Sequence, residues 1–155
     1  MKSVTQFACG SVFLMLLNAT VVAGDAKDDA IKKERMRYAG TWQVESVEVD
    51  GNKFPDEQAK TFKVINEADG KWAIEQDGKV IARGTSVIDP TKKVKTVDLT
   101  QTEGAATEQT LLGIYELTDD TRKVCFAPPG KDRPTEFSSP AGSGHLLVVL
   151  KKEKK

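Results

Sequence analysis

Apolar and polar positions along this chain repeat with two different periods. Between Asp25 and Tyr38 charged residues dominate, and Ile31, Arg35 and Tyr38 recur at helical spacing on one face. The acids lie mostly early, and Lys32, Lys33, Arg35 and Arg37 lie late, which suits the helix dipole. A helix over residues 25–39 is predicted, capped by Asp25 or Asp28 and ended by Gly40. From Gly40 onward the period is two. Alternation predicts strands at 41–49, 61–66, 71–76, 79–88, 94–102, 109–117, 122–127 and 145–151. Turn residues separate them, among them Asp50-Gly51-Asn52, Asp69-Gly70, Asp77-Gly78 and Asp119-Asp120. Pro55 to Ala59 reads as one helical turn with Pro55 at its first position. In the first strand Trp42 and Val44 alternate in one phase, Val47 and Val49 in the other. That slip predicts a bulge at Glu45-Ser46.

Eight strands joined by turns, with no long helix between them, predict an all-β fold. It is an eight-stranded antiparallel up-and-down barrel behind a short N-terminal helix. Closing the sheet removes its exposed edges; an open sandwich is the competing arrangement. The interior of such a barrel is either filled by side chains or holds one small ligand. The sequence leaves that choice open, because a one-residue register error exchanges inner and outer faces.

The first 24 residues change where this domain is expected to work. Lys2, the apolar run Val12-Phe13-Leu14-Met15-Leu16-Leu17 and the small residues Ala23-Gly24 form a signal-peptide pattern, with cleavage expected after Ala23 or Gly24. The apolar run is shorter than a membrane span. Cys9 lacks the aliphatic residue three places upstream that a lipobox carries. The expected organisation is a leader at 1–24, the helix at 25–39, the barrel at 40–152 and a basic tail at 153–155, exported to the periplasm or the cell exterior. Loss of Lys2 would lower the basic count of 23 by one against 23 acids. A near-neutral mature domain argues against nucleic-acid binding. Loss of Cys9 would leave Cys125 alone, so the barrel is expected to stand on its core without a disulfide.

Several motifs recur in order along the barrel: Gly40-Thr41-Trp42, Ile88-Asp89-Pro90-Thr91-Lys92-Lys93, Val97-Asp98-Leu99, Gly113-Ile114-Tyr115-Glu116-Leu117, Val124-Cys125-Phe126-Ala127 and Arg133-Pro134-Thr135-Glu136-Phe137. The helix, Gly-x-Trp and meander resemble the lipocalin and wider calycin pattern. The ordered set over residues 37–152 resembles the uncharacterised lipocalin-like domain expanded in planctomycete bacteria. The resemblance implies a calycin-type barrel in an exported protein and no particular activity. Lipocalins commonly pack an arginine from the end of the last strand on the Gly-x-Trp tryptophan. Here that strand ends in Lys151 and Lys152, and Arg133 is the candidate replacement.

Candidate chemistry is sparse. One histidine, His145, and one mature cysteine, Cys125, do not make a nucleophilic triad or a zinc site. His145 reads as a surface or rim residue and Cys125 as a packing residue facing away from Val124 and Phe126. The acids at Asp119-Asp120 read as turn residues. No catalytic, metal or cofactor site is expected. Ala82, Gly84 and Ser86 share one face of their strand; facing inward, they leave room near Tyr115 and Trp72, with Arg83 outside, whereas the opposite register turns Ile81, Arg83, Thr85 and Val87 inward and makes Arg83 a buried charge that needs an anion or acid partner. Gly113 marks a bulge or a close backbone approach. The long 128–144 segment reads as a lid over the barrel end anchored by Phe137, with Arg133 as a candidate holder of an anionic group. The candidate ligand residues are therefore Trp42, Trp72, Tyr115, Phe126, Arg133 and Phe137. The expected role is a non-enzymatic exported binder of a small apolar or amphipathic molecule. The competing role is a solid barrel that binds or inhibits an envelope protein. Stable membrane insertion is not expected once the leader is removed.

Overall fold

The computed structural model describes residues 23–105 and 108–154. The expected leader lies outside them, apart from Ala23 and Gly24, which open the first helix.

That helix, α1 (Ala23–Tyr38), begins two residues before its predicted start. Asp25 is therefore not its cap but a first-turn acid, where it complements the dipole, and Asp28 lies further inside the helix. The strands that follow are β1 (Gly40–Val49), β2 (Asn52–Lys53), β3 (Phe62–Asn66), β4 (Lys71–Gln76), β5 (Lys79–Asp89), β6 (Thr96–Glu103), β7 (Thr110–Leu117), β8 (Thr121–Phe126) and β9 (Leu146–Lys152). The short α2 (Asp56–Ala59) separates β2 from β3, with Pro55 as its N-cap rather than its first helical residue. All pairings are antiparallel between neighbours in the order β1-β3-β4-β5-β6-β7-β8-β9. β1 also pairs with β9, from Trp42 opposite Lys152 to Val49 opposite Leu146. Eight strands thus close into an up-and-down barrel, the predicted architecture. β2 is an unpredicted two-residue return paired to the end of β1.

The phase slip in β1 is real. Register shifts between Val44 and Ser46, so Trp42 and Val44 face the core before the slip and Val47 after it. Other bulges lie between Ile74 and Glu75 and between Arg83 and Gly84. The β4–β5 hairpin turns on Asp77-Gly78, both at positive φ, as a two-residue loop between twisted strands requires. β6 starts two residues later than predicted. Lys95 precedes it, accepting a backbone bond from Tyr115 and sending its side chain to α1.

The barrel has a closed end and an open end. The closed end gathers the start of β1, the ends of β3 and β5 and the start of β8. α1 packs there with Tyr38 in the core and Ile31 against it. Polar bolts fix it: Lys27 to Asp89 (2.8 Å), Glu34 to Lys95 (2.6 Å), Arg37 to Asp119 (3.3 Å), and Arg35 to the hydroxyl and carbonyl oxygens of Ser86. No helix among the described residues is long and apolar enough to cross a membrane.

The segment between β8 and β9 does not fold over the barrel end as predicted. It runs along the outside wall. Ala127 bonds to the Leu112 carbonyl, the Cys125 thiol donates to the Ser138 carbonyl (3.3 Å), and Gly144 donates to Asp50 beside β2. Ile114 and Cys125 pair across β7 and β8 on the outward face, yet both are buried. This strap covers them. It follows the wall because Arg133 finds backbone acceptors there and the outer face offers an apolar strip.

Candidate functional site

Inward positions of the barrel do not fill it. A cavity of about 160 Å³ runs from the middle of the barrel toward the open end. Its walls are apolar: Val64, Ile74, Leu99, Leu111 and Val148, with the aromatic rings of Trp72 and Phe126. Gln101, Gln109 and Leu146 stand toward the open end, and Tyr38, Asn66 and Arg122 toward the closed end.

Two glycines shape the walls. A methyl at Gly84 would lie 2.1 Å from the Thr100 carbonyl oxygen and 2.5 Å from the Trp72 ring. Trp72 is opposite Gly84 in the ladder and lies across it, its indole N–H donating to the Thr85 carbonyl (2.9 Å). Ala82, Gly84 and Ser86 do face inward, and Arg83 is outside, paired with Glu103 at 3.6 Å. The low wall they form is not open space, however. Trp72 occupies it, and Arg35 and the Gly70 carbonyl engage Ser86. Gly113 allows the same kind of approach; a methyl there would sit 2.4 Å from the Phe126 ring. The predicted close approach at Gly113 is thus observed, and the cavity lies inside both rings.

The floor is aromatic and cationic. The Trp42 indole donates to the Tyr38 carbonyl (3.0 Å) and is fully buried. The Arg122 guanidinium stacks 4.6 Å from the Trp42 ring and 4.3 Å from Tyr38. One of its N–H groups donates to Asn66 Oδ1 (2.5 Å), while its Nε–H has no partner among the described residues. Burial lowers the Arg122 pKa, and Tyr38 opposes that shift. Lys152 completes the floor: Nζ lies 5.1 Å from the Trp42 ring centre and donates to the Arg37 carbonyl (2.8 Å). Burial lowers its pKa first, and the neighbouring Arg122 and Arg37 cations lower it further.

Of the six residues expected to bind a ligand, Trp72 and Phe126 line the cavity. Trp42 and Tyr115 lie beneath it as core. Tyr115 stands edge-on to Tyr38 at 5.4 Å and donates to Glu34 (3.3 Å). Burial, with the Glu34 charge, pushes its hydroxyl pKa well above the ordinary range. Arg133 and Phe137 belong to the outside strap. Arg133 donates to the carbonyls of Gly113 (2.6 Å) and Val97 (3.3 Å), and its Nη1 lies 2.6 Å from Asp98 Oδ1. Its N–H groups point at the carbonyls, so the carboxylate contact is ionic rather than a directed bond. Arg133 is therefore a wall clamp, and it does not pack on Trp42. Phe137 lies under Lys123, on the outward face of β8, with the ammonium 5.6 Å from the ring centre.

The residues missed from sequence are Arg122, Asn66 and Glu34. Arg122 falls in phase with Val124 and Phe126, and Asn66 with Phe62 and Val64, so strict alternation places both inside. The lining carries no carboxylate, imidazole or thiol among the described residues. No protein-family model, curated protein or solved structure matches the chain.

Proposed function

We propose that this protein is an exported, non-enzymatic binder that holds one small apolar or amphipathic molecule inside its barrel. The observation that carries the reading is the unfilled, apolar interior of about 160 Å³. Its size is similar to that of an engineered apolar cavity of ~150 Å³ that takes up benzene. Such cavities gain by filling, because lining atoms recover dispersion contacts that an empty space withholds. Export is supported by the leader pattern in residues 1–24. The lipocalin-like family resemblance is consistent with a calycin-like barrel and is part of the same proposal.

Native mass spectrometry of the protein, purified gently from its own cells, tests the reading. Extra mass that is lost on denaturation is the expected outcome, and its identity names the ligand. A bare polypeptide mass, together with no uptake of small aromatic or aliphatic probes, would turn the reading toward a barrel that works through its outer surface.

A further inference from the structure

Arg122 is the most anomalous group in the molecule. It is 3 % exposed, and among the described residues no carboxylate pairs with it. Glu34, the buried acid of α1, is already engaged by Lys95 and Arg37. Asp119, on the other side of Lys152, is exposed and pairs with Arg37. Lys152 adds a second cation beside the floor, and Arg35 a further one near Tyr38, so the local potential is positive. A buried cation ordinarily carries a counter-charge and satisfied donors, since an uncompensated one is costly. Stacking on Trp42 and Tyr38 offsets part of that cost, but it leaves the Nε–H without a partner among the described residues. Arg122 also lines the cavity, opposite the end marked by Gln101 and Gln109. The compensating charge is therefore expected from whatever enters.

We propose that the cavity takes a small amphipathic carboxylate, its apolar body between Trp72, Phe126 and Leu111 and its carboxylate against the Arg122 guanidinium. This inference rests on the binding function proposed above and adds the chemical class of the ligand. The dimensions suit it. From Arg122 to Phe126 is four residues along β8, about 13 Å at the strand rise, or ~10 Å along the axis of a barrel with tilted strands. That length admits one ring or a short chain with an acid at its inner end. Planar guanidinium and planar carboxylate match as a fork, which a lysine in the same place would not reproduce.

The test compares matched probes on the purified protein by titration of tryptophan fluorescence and of NMR shifts. Benzoate is set against benzamide and benzyl alcohol, and hexanoate against 1-hexanol. Each acid is expected to bind on the order of ten-fold or more tightly than its neutral counterpart, the range for a hydrogen bond to a charged group. The benzoate and hexanoate arms separate an aromatic from an aliphatic source of the carboxylate. Arg122→Met is expected to abolish the preference of each acid over its neutral counterpart. Arg122→Lys, which keeps the charge without the fork, is expected to retain part of it. If Arg122→Met does not fold, the wild-type comparison decides alone. Equal binding of acids and neutral probes would overturn the carboxylate assignment and leave the cavity reading standing. Binding of neither would overturn both.

Discussion

At the scale of single residues, the barrel tolerates little change where rings lie on glycines. Gly84→Ala would drive a methyl into the Thr100 carbonyl and the Trp72 ring. Overpacking of this kind costs about 1–3 kcal/mol. We expect a matching loss in urea unfolding and a shift in tryptophan emission as Trp72 is displaced toward the cavity. Cys125 makes a second residue-level case. It is fully buried beneath the strap, and burial raises its thiol pKa against the opposing Ser138 bond. A scarce thiolate behind a covered wall reacts slowly. Iodoacetamide should modify Cys125 at a rate that tracks unfolding; rapid labelling of the native protein would show that the strap does not cover it.

Among the elements, α1 and the strap are held mainly by polar contacts at the closed end and the outer wall. The Asp89 carboxyl is lowered from its ordinary 3.8 to about 2, chiefly by Lys27 and then by Thr91. The unfolded chain binds that proton at higher pH than the folded one. The stabilisation is therefore complete above about pH 4 and disappears as pH falls toward 2. Asp89→Asn should flatten the loss of stability across that window, with a small effect at neutral pH, as partly exposed pairs contribute roughly 0–1 kcal/mol. For the strap, Arg133→Ala removes two hydrogen bonds to the wall, at the carbonyls of Val97 and Gly113, and leaves the Asp98 carboxylate without its cation, an expected cost of about 1–3 kcal/mol. It should also speed Cys125 labelling beyond what its loss of stability accounts for, whereas Gly84→Ala should speed labelling only in proportion to that loss. The elements differ in how far the sequence made them legible. Strands and the β1 bulge follow from two-residue alternation, which is local. The course of the strap depends on acceptors supplied by β6 and β7, and nothing in Pro128–Gly144 encodes them. Arg122 and Asn66 were legible in phase but run against the habit of reading strand interiors as apolar, since their burial is compensated only by partners brought together in the folded barrel.

For the whole molecule, the decisive property is a closed sheet around an unfilled interior. Leu111→Phe adds bulk at the cavity wall. It should reduce probe uptake several-fold with little change in circular dichroism, since free volume can absorb part of the added ring. Retained uptake would place the probe elsewhere. Closure has another consequence, one of time. The seam joins β1 to β9, the first barrel strand to the last. As the chain is made from its N-terminus, β1 waits with one side unpaired until residues 146–152 have emerged, and β8 waits with it. Every shorter chain is an open ribbon with two adhesive borders. A ribosome stalled before Leu146 would therefore carry a nascent sheet that binds chaperones or its own neighbours, and release of the seven residues of β9 would make it indifferent to both.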